Sequence, residues 1–222
     1  MPEARIDPSA TTRLDIERAS PSDVASARHY PSATLHEAAG KTGALPSAIR
    51  PIAPGFRLCG PAVTVAGPGG DNLWIHRALY AAQPGDILVV HAAQAYEHGY
   101  WGEVMSTAAR VRGLGGLVID GGVRDLSQLA QIGFPVFARG LCIRGTGKDF
   151  GARGWINAPV LIGDACIHAG DLIVGDEDGV VVVAREQVQR VVAGAAAREE
   201  QEKDILARLR AGETTLSVYG WD

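Results

Sequence analysis

The sequence predicts an α/β domain with a parallel sheet at its centre and one long helix at its C-terminus. Three observations carry that expectation. Apolar runs of strand length alternate with segments of helical periodicity through the middle of the chain. Glycine–aspartate and glycine–glycine steps punctuate the alternation, and strand–helix–strand units of this spacing give parallel sheets with helices packed on them. The chain then closes with a single charged stretch from Glu186 to Ala211.

Taken in order, residues 1–30 form a polar lead-in with room for one short helix, and residues 31–222 form a single α/β domain that includes the C-terminal helix and tail. Ser32 to Ala48 has helical spacing and meets its stop at Gly40 or Gly43. Cys59 to Val65 is a strand. Leu73, Ile75 and Leu79 set a helix over Asn72–Ala82, and Pro84-Gly85-Asp86 turns it into a buried strand, Ile87–Val90. Glu103–Arg112 is a helix with Val104, Ala108 and Val111 on its inward stripe. The strand Leu117–Ile119 closes at Asp120-Gly121-Gly122. A helix over Val123–Ile132 follows, with Leu126 and Leu129 inward, then a strand at Pro135–Ala138. The last third holds short strands at Pro159–Ile162, Cys166–Ala169, Leu172–Val174 and Val180–Ala184, with a hairpin turn at Asp176-Glu177-Asp178-Gly179. Gly170-Asp171 before one strand echoes Gly85-Asp86 before another. After Gly212 a tail carries Tyr219 and Trp221.

Composition removes several classes of function. The chain has 222 residues, 46% of them apolar and 21% charged, so a large core is within its reach. Its net charge of −4, from 21 Lys and Arg against 25 Asp and Glu, argues against nucleic acid as the main partner. Cys59, Cys142 and Cys166 are scattered and odd in number, which fits a reducing compartment better than a disulfide framework. The first twenty residues lack the apolar centre of a signal peptide, and no apolar run approaches a membrane span, so the expected location is the cytoplasm.

Nucleotide motifs are missing. Gly40-Lys41-Thr42 lacks the earlier glycine of a phosphate-binding loop, and Gly145–Gly151 misses the dinucleotide fingerprint by one residue. Lysine is scarce: Lys41, Lys148 and Lys203 stand among glycines or charges, a poor setting for a Schiff base. His91, Glu97, His98 and Glu103 match no zinc spacing. Asn72 stands where it can cap the helix that follows or touch a substrate, and capping is the simpler role. His76, on a helix of apolar spacing, is expected to be a packed histidine.

The chemistry concentrates at Gly102-Glu103-Val104-Met105 and at Arg124-Asp125, with twenty residues between Glu103 and Arg124. The first group opens a helix, whose free N–H groups favour an anion. The second follows a strand and opens the next helix, and ligands of α/β sheets bind where strands end. Arginine's planar fork matches a carboxylate, and one aspartate with several waters suits magnesium. A divalent ion could then stabilise the enolate of a 2-keto acid as a carbon–carbon bond breaks. The same residues also have an ordinary reading, since acidic side chains favour first helical turns and an Arg-Asp pair is commonly solvated.

From Gly40 onward the chain resembles the 4-hydroxy-4-methyl-2-oxoglutarate / 4-carboxy-4-hydroxy-2-oxoadipate aldolases, of the family related to the regulator of ribonuclease activity A. The text that carries the resemblance is Gly40-Lys41-Thr42-Gly43, Arg50-Pro51-Ile52, Gly70-Asp71-Asn72, Pro84-Gly85-Asp86, Gly102-Glu103, Leu117-Val118-Ile119-Asp120, Val123-Arg124-Asp125, Gly133-Phe134-Pro135-Val136, Ala211-Gly212-Glu213 and Tyr219-Gly220. The resemblance implies a swivelling β/β/α-type domain assembled as homotrimers and homohexamers. It implies Mg²⁺ or Mn²⁺ held at Asp125, and pyruvate held by Arg124 and the backbone of Gly102, Glu103, Val104 and Met105. The family usually has Asp where this chain has Glu103, one methylene longer. It also completes the site with a glutamate from a neighbouring subunit's C-terminal helix, for which Glu202 fits best by register and Glu199 next.

The function expected from all this is a class II pyruvate aldolase. It would cleave a 4-hydroxy-2-oxo diacid to pyruvate and a second keto acid, with oxaloacetate decarboxylation through the same enolate, as in the degradation of aromatic compounds. The competing expectation is a non-catalytic regulator that binds a ribonuclease. Such a protein has no need to keep Arg124 and Asp125 together.

Overall fold

The computed structural model describes residues 6–222, so the first five residues of the lead-in lie outside the described residues. The chain enters through a 3-10 turn at Pro8–Thr11, helix α1 (Pro21–Ala27), helix α2 (Ser32–Ala38) and a two-residue strand β1 (Arg50–Pro51). The centre runs β2 (Leu58–Ala66), α3 (Leu73–Ala81), β3 (Ile87–His91), β4 (Gly99–Trp101), α4 (Glu103–Val111), β5 (Gly116–Val123), α5 (Leu126–Ile132) and β6 (Val136–Leu141). Short strands β7 (Trp155–Ile156), β8 (Val160–Ile162) and β9 (Ala165–Ile167) precede a hairpin of β10 (Leu172–Asp176) and β11 (Gly179–Val183). Helix α6 (Val188–Arg210) and a short helix α7 (Thr215–Tyr219) end the chain.

The main sheet has the order β1-β6-β5-β3-β2-β10-β11, with β4 added to β5 and β7 to β2. Its middle four strands, β2, β3, β5 and β6, are parallel. The flanks are antiparallel: β1 on β6, and β10 between β2 and β11. The far ends of the sheet approach one another, because β1 also contacts β10 and β11, and the sheet curls towards closure. This is the expected mixed α/β domain of the swivelling β/β/α type with its C-terminal helix.

Two apolar cores explain the sequence pattern. One lies between the parallel strands and α3, α4 and α5 and holds Val63, Ile75, Leu79, Leu88, Val118, Leu129 and Phe137. The other lies under α1, α2 and α6 and holds Ala27, Leu35, Leu172, Val174, Val188 and Val191. In β11, Val180 and Val182 point to the first core while Val181 and Val183 point to the second. A strand buried on both faces reads as an unbroken apolar run rather than an alternating one. That is why residues 180–183 are four valines in succession.

The helix that opens at Ser32 ends at Ala38 and meets its stop at Gly40, as expected, because Gly40, Lys41 and Gly43 take positive φ and carry the chain onto β11. There Val182 donates to the Gly43 carbonyl at 2.8 Å and Leu45 donates to Val180 at 2.9 Å. The Asp120-Gly121-Gly122 step is not a turn but the continuation of β5. Its glycines are crossing points: a Cβ on Gly121 would meet the Tyr100 ring at 3.0 Å, and one on Gly122 would lie 2.8 Å from Cys142 Cβ. Helix α4 buries Met105, Ser106 and Ala109 and leaves Val104 and Val111 in solvent, 78% and 83% exposed. Ser106 can face inward because its hydroxyl receives the Trp101 indole N–H at 2.6 Å. Likewise Leu129 of α5 is fully buried while Leu126 is 38% exposed.

The echo between Gly85-Asp86 and Gly170-Asp171 has a physical basis. In both, a glycine of φ near +87° is followed by a buried aspartate that accepts the N–H three residues back, Gln83 for Asp86 and His168 for Asp171. Asp86 also accepts two bonds at 2.9 Å from the Arg18 guanidinium, tying the lead-in to the turn before β3. Removing the acceptor leaves the half-buried Arg18 guanidinium without its carboxylate partner, holding only a 3.3 Å bond to the Ile16 carbonyl. Asp86→Ala is therefore expected to cost roughly 2 kcal/mol or more. A urea-unfolding midpoint unchanged from wild type would contradict that role.

Candidate active site

The site forms where β5 gives way to α5. Arg124 continues the strand, donating its N–H to the Trp101 carbonyl at 2.9 Å. Asp125 then adopts the left-handed conformation, φ 65° and ψ 42°, at the start of α5. That region is unusual for a residue with a Cβ, and aspartate is among the few that tolerate it. Its Oδ2 accepts the Glu103 N–H at 3.0 Å and lies 3.8 Å from Arg124 Nε. The carboxylate thus caps the first turn of α4 from another segment of the chain, across 22 residues of sequence.

Gly102 makes that approach possible. Its backbone is extended, so no special φ demands glycine there. A Cβ would nonetheless fall on Asp125 Oδ2, well inside van der Waals contact, and 3.2 Å from Arg124 Cγ. With Glu103 N–H committed to Asp125, the N–H groups of Val104 and Met105 have no carbonyl one turn earlier in α4 to bond. Both residues line a cavity of about 290 Å³, together with Gly102, Arg124 and Asp125 on this side. An anion there meets two free N–H groups, the positive end of a helix and a half-exposed guanidinium.

The remaining wall holds Asn72, His76, Thr146 and Lys148. Two loops bring them in by exchanging backbone bonds. Gly147 donates to the Gly70 carbonyl at 2.8 Å, Asn72 donates to the Gly147 carbonyl at 3.4 Å, and Asp149 donates to Asp71 Oδ2 at 2.6 Å. Burial pushes the His76 imidazole below its usual pKa, the charge of Lys148 pushes it further down, and Asp71 opposes both.

This wall is what sequence reasoning underrated. Asn72 does not cap α3 with its side chain; Asp71 Oδ1 takes the Leu73 N–H at 2.7 Å instead. The Asn72 amide reaches across to the Tyr100 carbonyl at 2.7 Å. Lys148, ordinary in its glycine-rich context, lines the cavity. No local periodicity signals either residue, because the contact between their loops is long-range.

Of the residues singled out from sequence, Gly102, Val104, Met105, Arg124 and Asp125 line this one cavity. Glu103 contributes its backbone, and its exposed side chain is not part of the lining. Glu202 is elsewhere within the chain, on the outer part of α6, paired with Arg198 Nε at 2.9 Å. Among the described residues no three His, Cys, Asp or Glu side chains converge as a ligand group. A divalent cation at this site would rest on Asp125, with water and substrate supplying the other oxygens. Magnesium, which keeps several waters and takes one or two carboxylates, fits such a sparse donor set. Asp125 has one oxygen engaged by an N–H and sits 39% exposed at the cavity edge, so it remains open to a cation.

An α/β domain with an anion cradle, an arginine and one aspartate at the end of a central parallel strand defines the class. The model of the RraA-like family, Aldolase/RraA, matches residues 22–182, and the chain belongs to this family. Among its relatives is a protein of Halalkalibacterium halodurans named "Putative 4-hydroxy-4-methyl-2-oxoglutarate aldolase", 35% identical over 184 residues, covering 83% of this chain and 85% of that one. A crystal structure of an uncharacterized protein from Pseudomonas syringae pv. tomato superposes with a TM-score of 0.76 at 28% identity, covering 92% of this chain and all of that chain. Streptomyces coelicolor RraAS2, described as an unusual member of the RNase ES inhibitor RraA protein family, superposes with a TM-score of 0.73 at 27% identity, covering 87% and 99%.

Proposed function

We propose that this chain is a divalent-metal-dependent lyase that cleaves a 4-hydroxy-2-oxo diacid into pyruvate and a second keto acid, and that also decarboxylates oxaloacetate. The observation that carries this reading is the convergence of Arg124, Asp125 and the first turn of α4, at Gly102, Val104 and Met105, on one cavity. A protein that only bound a ribonuclease would have no use for such a cradle. In the cleavage the C4 hydroxyl loses its proton to a base, the C3–C4 bond breaks and C4 becomes a ketone. The electron pair passes onto the pyruvate unit as an enolate, which is then protonated at C3.

Val104 and Met105 N–H groups would hold the carboxylate of the pyruvate unit, and Arg124 would neutralise the charge that develops beside it. Asp125 would hold Mg²⁺ or Mn²⁺, which supplies Lewis acidity at the keto oxygen. Lys148 lines the same cavity and gives the distal carboxylate a cation. Glu103 and Glu202 remain candidates for proton handling, Glu202 only from a neighbouring subunit of a homotrimer or homohexamer. The exposed apolar side chains around the site, Val104, Leu141 and Ile143, give such an assembly a surface to cover. The cytoplasm suits a keto-acid enzyme, and no helix among the described residues is long and apolar enough to cross a membrane.

Pyruvate release from a panel of 4-hydroxy-2-oxo diacids tests the reading. EDTA should abolish it, and Mg²⁺ or Mn²⁺ should restore it. Borohydride added with pyruvate should leave the chain unmodified. A stable adduct on Lys148, the lysine of the cavity, would replace the metal-dependent route with a Schiff base.

A further inference from the structure

Among the described residues that line the cavity, Asn72 carries a side-chain polar atom that the fold itself leaves unsatisfied. Asn72 is 6% exposed, and its amide nitrogen is already engaged by the Tyr100 carbonyl. Because only the nitrogen can donate to a carbonyl, that bond fixes which end of the amide is which. The other end, Oδ1, is buried with no hydrogen-bond partner. Buried polar atoms are almost always paired, and an exception inside a binding cavity points to a ligand that completes it. The amide nitrogen also lies 3.6 Å from Met105 Sδ, which sets Asn72 against the first turn of α4, beside the carboxylate cradle.

An amide oxygen only accepts, so whatever completes it must donate. A 4-hydroxy-2-oxo diacid at neutral pH has two carboxylates and a ketone, all of them acceptors. Its single donor is the C4 hydroxyl. We infer that Asn72 Oδ1 accepts the hydrogen bond of that hydroxyl in the bound substrate, before the hydroxyl turns its proton to the base, and is the residue that selects hydroxylated substrates. The inference rests on the lyase reading of the site and adds to it a determinant of substrate choice. Oxaloacetate in its keto form presents no hydroxyl, so Asn72 should matter to aldol cleavage far more than to decarboxylation.

The test compares 4-hydroxy-4-methyl-2-oxoglutarate with 4-methyl-2-oxoglutarate, which differ by that hydroxyl alone. Affinities are measured by calorimetry with EDTA present, and turnover separately with Mg²⁺. Sites built to bond a hydroxyl penalise its loss, and wild type should bind the hydroxylated acid about 10-fold tighter or more. In Asn72→Ala that preference should collapse to under about 3-fold, and kcat/KM for cleavage should fall at least about 10-fold more than for decarboxylation. Equal affinities in wild type would overturn the inference without any variant having to fold, and so would a preference that survives in a folded Asn72→Ala protein. Preference for the hydroxylated acid without pyruvate release would keep the inference and remove the lyase reading. Failure of wild type both to bind either acid and to release pyruvate with Mg²⁺ would remove both.

Discussion

Arg124→Lys is expected to lower kcat for pyruvate release on the order of 100-fold or more, with the protein still folded. The charge survives the substitution, so a purely electrostatic steering role would be spared. What is lost is the planar fork, which matches a carboxylate or enolate through two parallel bonds that an ammonium cannot reproduce. Donors aimed at developing charge in a site sheltered from water are typically worth about 3 kcal/mol to the transition state. The fold should not suffer, because Arg124 is held through its backbone N–H and its side chain is 48% exposed. Glu103→Asp is the matching control. The Glu103 N–H, not its carboxylate, bonds Asp125, so shortening the side chain should leave turnover near normal. Steady-state kinetics with circular dichroism decide the matter. Near-normal turnover in a folded Arg124→Lys protein would move weight to the regulator reading.

The second large effect is expected from the smallest substitution. Gly102→Ala adds one methyl where Asp125 Oδ2 now sits. Alanine accepts the extended backbone of Gly102, so α4 should form and the melting temperature should change by only a few degrees. The carboxylate must move, and it carries with it both its bond to Glu103 N–H and its place at the cavity edge. A displacement on the order of 1 Å in a catalytic constellation can cost roughly 100-fold in rate. Activity should fall by about that factor, and the Mg²⁺ needed for half-maximal activity should rise about 10-fold or more, the direction also expected for Asp125→Asn. Unaltered turnover and metal requirement in Gly102→Ala would mean that Asp125 is not positioned through Gly102.

The sequence by itself determined most of the elements and singled out about half of the residues that line the candidate cavity. Strand and helix existence was legible because buried parallel strands are continuous apolar runs and the glycine–aspartate turns are local devices, closed within three residues by their own side chains. The grouping of Gly102–Met105 with Arg124-Asp125 was legible because each opens a helix, and the structure adds the strand β4 that places the first group beside β5. Tertiary structure decided what those rules cannot reach. Gly121-Gly122 looks like a turn until Tyr96 and Tyr100 are seen crossing β5 on it. Val104 and Val111 look like core until the Trp101–Ser106 bond turns α4 the other way. Asn72 and Lys148 join the cavity through loops about 75 residues apart, stitched by backbone bonds that carry no side-chain signature. Local propensity is a property of neighbours in the chain. Which polar atoms are left without a partner is a property of the packed molecule, and among the side chains that line this cavity Asn72 Oδ1 is such an atom.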